Sequence, residues 1–338
     1  MTSDWHVEVR ELELNESFRI AHGSSSMRQV VRVHHGDAVG EAPFVPYYHE
    51  DIISTLRWLE KAAEAELSDA PTRAARLALE LVRLDAAGRR AALPLSAYAE
   101  GVLQGLPARH QVYGCRSLSI PEDWTVFENQ VSERAARFGI LKLKLGSGAV
   151  VKDLEIVARA RRIAPSSVLI ADVNGGWTVD ETVKLLPQLA EQGLALLEQP
   201  FHHDLGIGAW KQLRAAIGRS LVPIYADESA QSIEEIRALS GLADGVNVKL
   251  LKSQGFIAAA EWMREAKALG LGVLLGCMIE SSLGTTAAAH LAPWADWVDL
   301  DGHLYLAEDD YHGIEFGPAG LLKMPSRSGI GAAPKRLT

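Results

Sequence analysis

The chain has 338 residues, 43 of them acidic and 34 basic, for a formal net charge of −9, and 48% of it is apolar. That length suits about two domains, or one large barrel with an appendage, and the apolar fraction supports a large core instead of general disorder. The acidic balance argues against a nucleic-acid footprint, no apolar run approaches the ~20 residues of a bilayer span, and Cys115 and Cys277 are too far apart in sequence for a disulfide framework or a cysteine-rich zinc site. Residues 1–10 mix charges of both signs and contain no apolar signal core, so a cytoplasmic protein is the expectation.

Residues 5–14 and 29–34 have strand character, and Asp37–Ala38 offers a turn before Val39-Gly40-Glu41. Residues 51–67 read as a helix. Pro71 opens a second helix carrying Leu77, Leu79, Leu81, Val82 and Leu84, with Gly88 as its expected end. Residues 1–110 therefore read as an α+β domain. From about Val112 short apolar runs recur at 113–120, 140–145, 168–172, 195–198, 224–227, 245–250, 272–276 and 297–300. Amphipathic stretches such as 150–163, 179–192 and 256–269 separate them. Strands alternating with helices in this way indicate parallel βα units, so the fold class is α/β: a TIM-type (β/α)8 barrel over 111–302, with a doubly wound open sheet as the alternative. The last strand is followed by an irregular tail, 303–338, where a helix would stand; this makes the barrel a modified (β/α)7β form whose tail is expected to return to the N-terminal domain.

In a parallel barrel the C-terminal strand ends converge on one face. Three of these runs end in Asp172, Glu198 and Asp227, spaced 26 and 29 residues apart, about one βα unit each. Each acid by itself could cap the following helix. Three carboxylates brought together repel unless a cation compensates, and an all-oxygen set suits Mg²⁺, or Mn²⁺ as the alternative, over Zn²⁺.

Only 11 of the 34 basic residues are lysines, yet Lys142, Lys144, Lys249 and Lys252 fall in two apolar segments. In Ile140-Leu141-Lys142-Leu143-Lys144-Leu145 the alternation puts both lysines on one face, and in a parallel barrel strand that face is the interior. Gly245-Val246-Asn247-Val248-Lys249 repeats the arrangement across the barrel, so Lys144 and Lys249 are expected to oppose each other over the carboxylates. Lysine can exchange its proton where arginine cannot, and Lys142 is placed to lower the pKa of Lys144. Salt bridges to the three acids are the competing structural reading. Lys252 falls off the Asn247/Lys249 face and reads as a loop residue or as a support behind the ligands.

Together, Lys142-Leu143-Lys144, Asp172-Val173-Asn174 with Trp177, Glu198-Gln199-Pro200, Asp227-Glu228-Ser229, Asn247-Val248-Lys249-Leu250 and Gly276-Cys277-Met278-Ile279-Glu280-Ser281 resemble the enolase superfamily, in its muconate-lactonizing-enzyme branch. The resemblance covers essentially the whole chain and is strongest over 140–302. It implies that residues 1–110 form a capping domain with a substrate-covering flap. It also implies Mg²⁺ on Asp172, Glu198 and Asp227, supported by Asn174, Asn247 and Glu228. A lysine then removes the proton next to a substrate carboxylate, and paired lysines on opposite faces invert the stereocentre. Trp297-Val298-Asp299-Leu300-Asp301 resembles the Asp-x-Asp element by which dipeptide epimerases hold a substrate ammonium, although an Asp–Gly turn at a strand end would read similarly.

On this resemblance the substrate is a dipeptide, with Met278 and Glu280 and the flap residues Arg19 and His22 as further contacts; His22 stands where similar relatives carry arginine. An N-acylamino-acid racemase or o-succinylbenzoate synthase is the alternative within the branch, and a non-catalytic binding barrel the alternative outside it. A homo-oligomer is implied by the resemblance alone. His202 and His203 are expected at the pocket rim.

Overall fold

A three-stranded antiparallel sheet opens the computed structural model, which describes residues 4–21, 23–45, 48, 50–219 and 221–335. Its strands are β1 (Trp5–Ile20), β2 (Gly23–His35) and β3 (Ala38–Phe44). The β1–β2 ladder is interrupted between Glu13 and Phe18, and in the outer part, the segment expected as a flap, Phe18 to Ile20 pair with Gly23 to Ser25. Helix α1 (Ile52–Leu59) starts at Asp51, whose carboxylate accepts from the N–H groups of Ile53 and Ser54. It is shorter than expected because the carbonyls of Ala62, Ala63 and Ala65 all accept from Arg83 Nη2, at 3.3, 3.3 and 2.6 Å. A guanidinium from the next helix thus satisfies groups that a longer helix would have paired internally, and the chain makes 3-10 turns instead.

Helix α2 (Arg73–Ala91) begins at Thr72 and runs through Gly88 to a left-handed Ala92 at φ 53°. Gly88 is therefore not the end. It lacks a side chain because the tail crosses there: a Cβ would lie 2.8 Å from Gly329 Cα. Helix α3 (Ser96–Val102) leads to the barrel.

The barrel strands are β4 (Arg116–Leu118), β5 (Ile140–Lys144), β6 (Val168–Asp172), β7 (Leu194–Glu198), β8 (Ile224–Ala226), β9 (Gly245–Val248), β10 (Gly272–Gly276) and β11 (Trp297–Asp299). They pair in parallel in sequence order. A parallel bridge between Gly114 and Val298, with Cys115 N–H donating to Val298 O at 2.9 Å, brings the first strand back to the last. The intervening helices include α4 (Trp124–Ala135), α5 (Val150–Ile163), α6 (Val179–Glu191), α7 (Gly206–Ile217), α8 (Ile233–Ala238), α9 (Leu250–Ser253), α10 (Phe256–Ala268) and α11 (Ser282–Ala289). Strand β4 is shorter than the apolar run that contains it, because Tyr113 and Gly114 pair with Leu321 and Gly320 of the tail.

Alternation along the strands divides the interior into two levels. Cys115, Ile170, Leu196, Tyr225 and Leu274 form an apolar floor. Two residues further along four of these strands stand Ser117, Asp172, Glu198 and Asp227, all buried. After β11 a single 3-10 turn, Gly302–Tyr305, replaces the eighth helix. The tail then pairs back onto the N-terminal residues: Leu306 bridges Leu14, Ala307 N–H donates to Glu13 O at 2.9 Å, and Gly329 bridges Pro94. Among the described residues no helix is long and apolar enough to cross a membrane.

Candidate active site

Asp172 and Glu198 end adjacent strands in direct register, and Asp227 follows the last residue of β8. All three are fully buried, and one oxygen from each lies within 4.8 Å of those of the other two. Their backbone supports are unusual. Asn174 and Gln199 are left-handed, at φ 46° and 37°, a conformation that costs a non-glycine residue about 1–3 kcal/mol. Asn174 N–H donates to Asp172 Oδ1 at 2.8 Å. Gln199 splints two strand ends: its Oε1 accepts from the N–H groups of Asp227 and Ser229 at 2.9 and 3.1 Å, and its Nε2 donates to Phe201 O at 2.8 Å. In the sequence Gln199 stands inside the Glu198-Gln199-Pro200 motif with nothing local to mark this task.

Four lysines surround the triad. Lys144 Nζ lies 2.6 Å from Asp172 Oδ2 and 3.3 Å from Asn174 Oδ1, while Lys249 Nζ lies 2.6 Å from Asp227 Oδ2. Both line the same cavity, Lys144 from β5 and Lys249 from the residue after β9. Lys142 does not line it. Its Nζ sits 2.6 Å from Glu198 Oε2, 2.6 Å from Asp299 Oδ2 and 3.4 Å from Asp172 Oδ2. Burial opposes its charge, but these three carboxylates hold its pKa well above the ordinary lysine value, making it a fixed cation. Lys252 takes the second of the two places expected for it, behind a ligand carboxylate. A helical turn, α9, begins at Leu250, so strand parity stops applying, and the lysine turns inward. It is fully buried and donates to Asp227 Oδ1 and to Asp227 O, each at 2.6 Å.

These pairings leave the triad unevenly compensated. Burial works against Asp227 ionising, yet Lys249 and Lys252 pull its pKa far below the carboxylate range. Glu198 goes the other way, pushed up to about 8 by burial and by the charge of Asp172. Its Oε1 accepts from Asn247 Nδ2 at 2.6 Å, whereas Oε2 has the Lys142 ion pair but no well-directed hydrogen bond. Glu228 accepts from Asn174 Nδ2 at 3.1 Å, and its other oxygen is buried without a hydrogen bond. An all-oxygen donor set in which a buried Glu198 oxygen lacks a directed hydrogen bond fits a divalent cation held by Asp172, Glu198 and Asp227.

Asp299 and Asp301 line the cavity. Asp299 Oδ1 accepts from Cys115 Sγ at 3.2 Å and Ser117 Oγ at 3.3 Å, and its other oxygen pairs with Lys142; although burial works against it, Lys142 and Lys144 bring its pKa down to about 2. Asp301 Oδ2 accepts from Ser117 N–H at 2.6 Å and Arg116 Nη1 at 3.0 Å, and the guanidinium lies over the Tyr305 ring at 4.0 Å. Arg116 is thus a buried counter-ion that the sequence pattern did not mark.

The cavity, of about 260 Å³, is closed on the cap side by Phe18, Ile20, Phe44 and Val45 and on the barrel side by Met278 and Ile279. Two expected contacts lie elsewhere. Phe18 and Ile20 face the pocket, so Arg19 between them points to the opposite side, where it pairs with the exposed Glu122 at 3.0 Å. Arg28, on β2, lines the pocket instead. Glu280 turns back, its Oε1 accepting from Met278 N–H at 3.3 Å; it does not line the cavity, and burial together with Glu41 pushes its pKa up to about 8. His22 lies outside the described residues. His202 and His203 are exposed, stack at 4.6 Å and group with Asp204 outside the main cavity, not at its rim.

A parallel barrel whose mouth holds a buried carboxylate triad between two opposed lysines, under an α+β cap, defines an enzyme class built for proton transfer beside a cation. Residues 126–337 match the family described as Enolase C-terminal domain-like, and the chain belongs to it. Among its relatives, the L-Ala-D/L-Glu epimerase of Bacteroides thetaiotaomicron is 30% identical over 338 aligned residues, covering 95% of this chain and 85% of that protein. The L-Ala-D/L-Glu epimerase of Escherichia coli is 30% identical over 320, covering 90% and 94%. The dipeptide epimerase of Cytophaga hutchinsonii, solved with Mg and the dipeptide D-Ala-L-Val, superposes with a TM-score of 0.86 at 26% identity, covering 100% of this chain and 97% of that one.

Proposed function

We propose that this protein is a Mg²⁺-dependent dipeptide epimerase that inverts the α-carbon of the C-terminal residue. The observation that carries the reading is the placement of Lys144 and Lys249, from the second and sixth barrel strands, in one cavity beside the Asp172/Glu198/Asp227 cluster. The named activities of the relatives support it. A Mg²⁺ ion held by the three carboxylates, or Mn²⁺ in its place, supplies positive charge against the second negative charge that an α-deprotonated carboxylate acquires.

The protein's own groups do the rest. One lysine, unprotonated, takes the α-proton; the C–H electron pair moves into the carboxylate to give an enediolate. The opposite lysine, as ammonium, returns a proton from the other face, and the two exchange states for the reverse direction. Lys142 stays charged and ties the triad to Asp299. Asp299 and Asp301 receive the substrate ammonium, Met278 contacts the substrate, and Asn174, Asn247 and Glu228 steady the ligands. Residues 1–110 cap the site, 111–302 carry the chemistry, and 303–338 join the two. The free state of both cysteines suits a cytoplasmic setting, and the family resemblance supports a homo-oligomer.

Incubating the protein with Mg²⁺ and a dipeptide library in D₂O is expected to place deuterium at the C-terminal α-carbon. Exchange confined to N-acylamino acids, with none in any dipeptide, would overturn the reading.

A further inference from the structure

We infer that Glu41, a cap residue outside the cavity, is a positioning residue that sets the shape of the substrate pocket by locking the cap onto the barrel mouth. Its kinetic readout rests on the proposed function; its structural readout does not.

Arg32 and Glu41 face each other across the β2–β3 ladder, 1% and 0% exposed, with Arg32 Nε donating to Glu41 Oε2 at 2.7 Å. The same carboxylate leaves the cap and takes hold of the barrel. Its Oε1 accepts from Ser281 N–H at 3.0 Å, and the Ser281 hydroxyl lies 2.8 and 2.7 Å from the two oxygens. Ser281 is the residue from which α11 springs, and its Oγ also accepts from Leu283 N–H at 3.1 Å. The remaining nitrogens of Arg32 reach into the tail, donating to Asp310 at 2.5 and 2.8 Å, with the guanidinium over the Tyr311 ring at 4.8 Å. Asp309 accepts from Ser282 N–H at 2.8 Å. One ionic network, buried at Arg32, Glu41 and Ser281, therefore joins cap, barrel loop and tail.

What the network holds is the pocket wall. Phe44 and Val45 follow Glu41 closely on the cap, Met278 and Ile279 precede Ser281 closely on the barrel, and all four line the cavity. Ile279 also packs with Leu12, Val30 and Leu306, one partner from each of two cap strands and one from the tail. A buried ion pair contributes little net stability over an apolar contact of the same size, because desolvation offsets the attraction. Its distinctive property is direction: several oriented bonds on one carboxylate fix Ser281, and hence the two walls, at one separation.

The test compares Glu41→Gln with the wild type on a dipeptide that the wild type turns over. Glu41→Gln keeps the size and removes the charge; KM is expected to rise about tenfold while kcat stays within about threefold, since the lysines and carboxylates are untouched. A lowered melting temperature with unchanged KM would overturn the inference, because that is all a purely structural residue would give. If Glu41→Gln does not fold, Ser281→Ala, which keeps the backbone bond, is expected to raise KM in the same direction by about threefold, and an unchanged KM there overturns it equally. Should the wild type turn over no dipeptide, the functional reading fails by itself and amide hydrogen exchange decides. Faster exchange in 41–45 and 276–283, with 73–91 unchanged, supports the lock; unchanged exchange in the first two segments refutes it.

Discussion

The floor and the mouth of the barrel are built from the same strands, two residues apart, and they are opposites. Ile170, Leu196 and Tyr225 give way to Asp172, Glu198 and Asp227 at the next inward position. The floor gains from burial in the ordinary way. The mouth does not: its carboxylates are desolvated, and their lysine partners offset that cost without turning it into net stability. The difference shows which level folds the barrel and which level the barrel exists to carry. Substitutions in the two levels should therefore separate activity from stability.

The sharpest break is at the lysines. Lys144→Ala and Lys249→Ala are each expected to lower epimerisation by at least ~10³-fold, with the fold retained, as measured by turnover and thermal melting of the same samples. Lys252 still faces Asp227 in the second variant, so the triad keeps part of its compensation. Wild-type rates in either variant would remove the two-lysine mechanism. Next in size is the floor. Leu196→Ala opens a cavity under Glu198 and should cost about 2–5 kcal/mol in denaturant unfolding, while kcat in the remaining folded protein changes far less than for the lysine variants. A loss of activity equal to that of Lys249→Ala, at wild-type stability, would mean that floor and mouth are not separable.

How far this division could be read from the sequence follows from one geometric rule. Strand alternation in a barrel with all strands parallel sends every second residue inward, and this suffices to bring Lys144, Asp172, Glu198 and Lys249 together from four separate segments. The rule ends where the strand ends. Lys252 sits on a helical turn that begins at Leu250, and so its inward position was invisible to parity. Arg116 reads as an ordinary charge until Asp301, 185 residues away, is placed against it. Tyr225 fills the floor only because Gly245 and Gly272 on β9 and β10 leave room: a Cβ would stand 2.4 Å from the Tyr225 ring at the first and 1.9 Å from its hydroxyl at the second. No local pattern links those glycines to that tyrosine. The end of α1 is of the same kind, set by Arg83 from another helix.

The smallest expected effect tests the cap side of the pocket against the mouth. Arg19 is a flap cation expected to touch the substrate, yet alternation turns it away while Phe18 and Ile20 face the cavity. Its partner there is Glu122, with side chains 42% and 76% exposed, a pair of a kind worth at most ~1 kcal/mol. Arg19→Gln should accordingly leave kcat alone and shift KM by less than about twofold for acidic and apolar dipeptides alike, while Arg28→Gln, from the strand that does line the cavity, should shift KM more. Steady-state kinetics on both variants with one acidic and one apolar dipeptide decides the matter. A rise in KM for the acidic dipeptide alone in Arg19→Gln would show that the flap reverses its facing when substrate binds, and the cap would then belong to the chemistry as much as the mouth does.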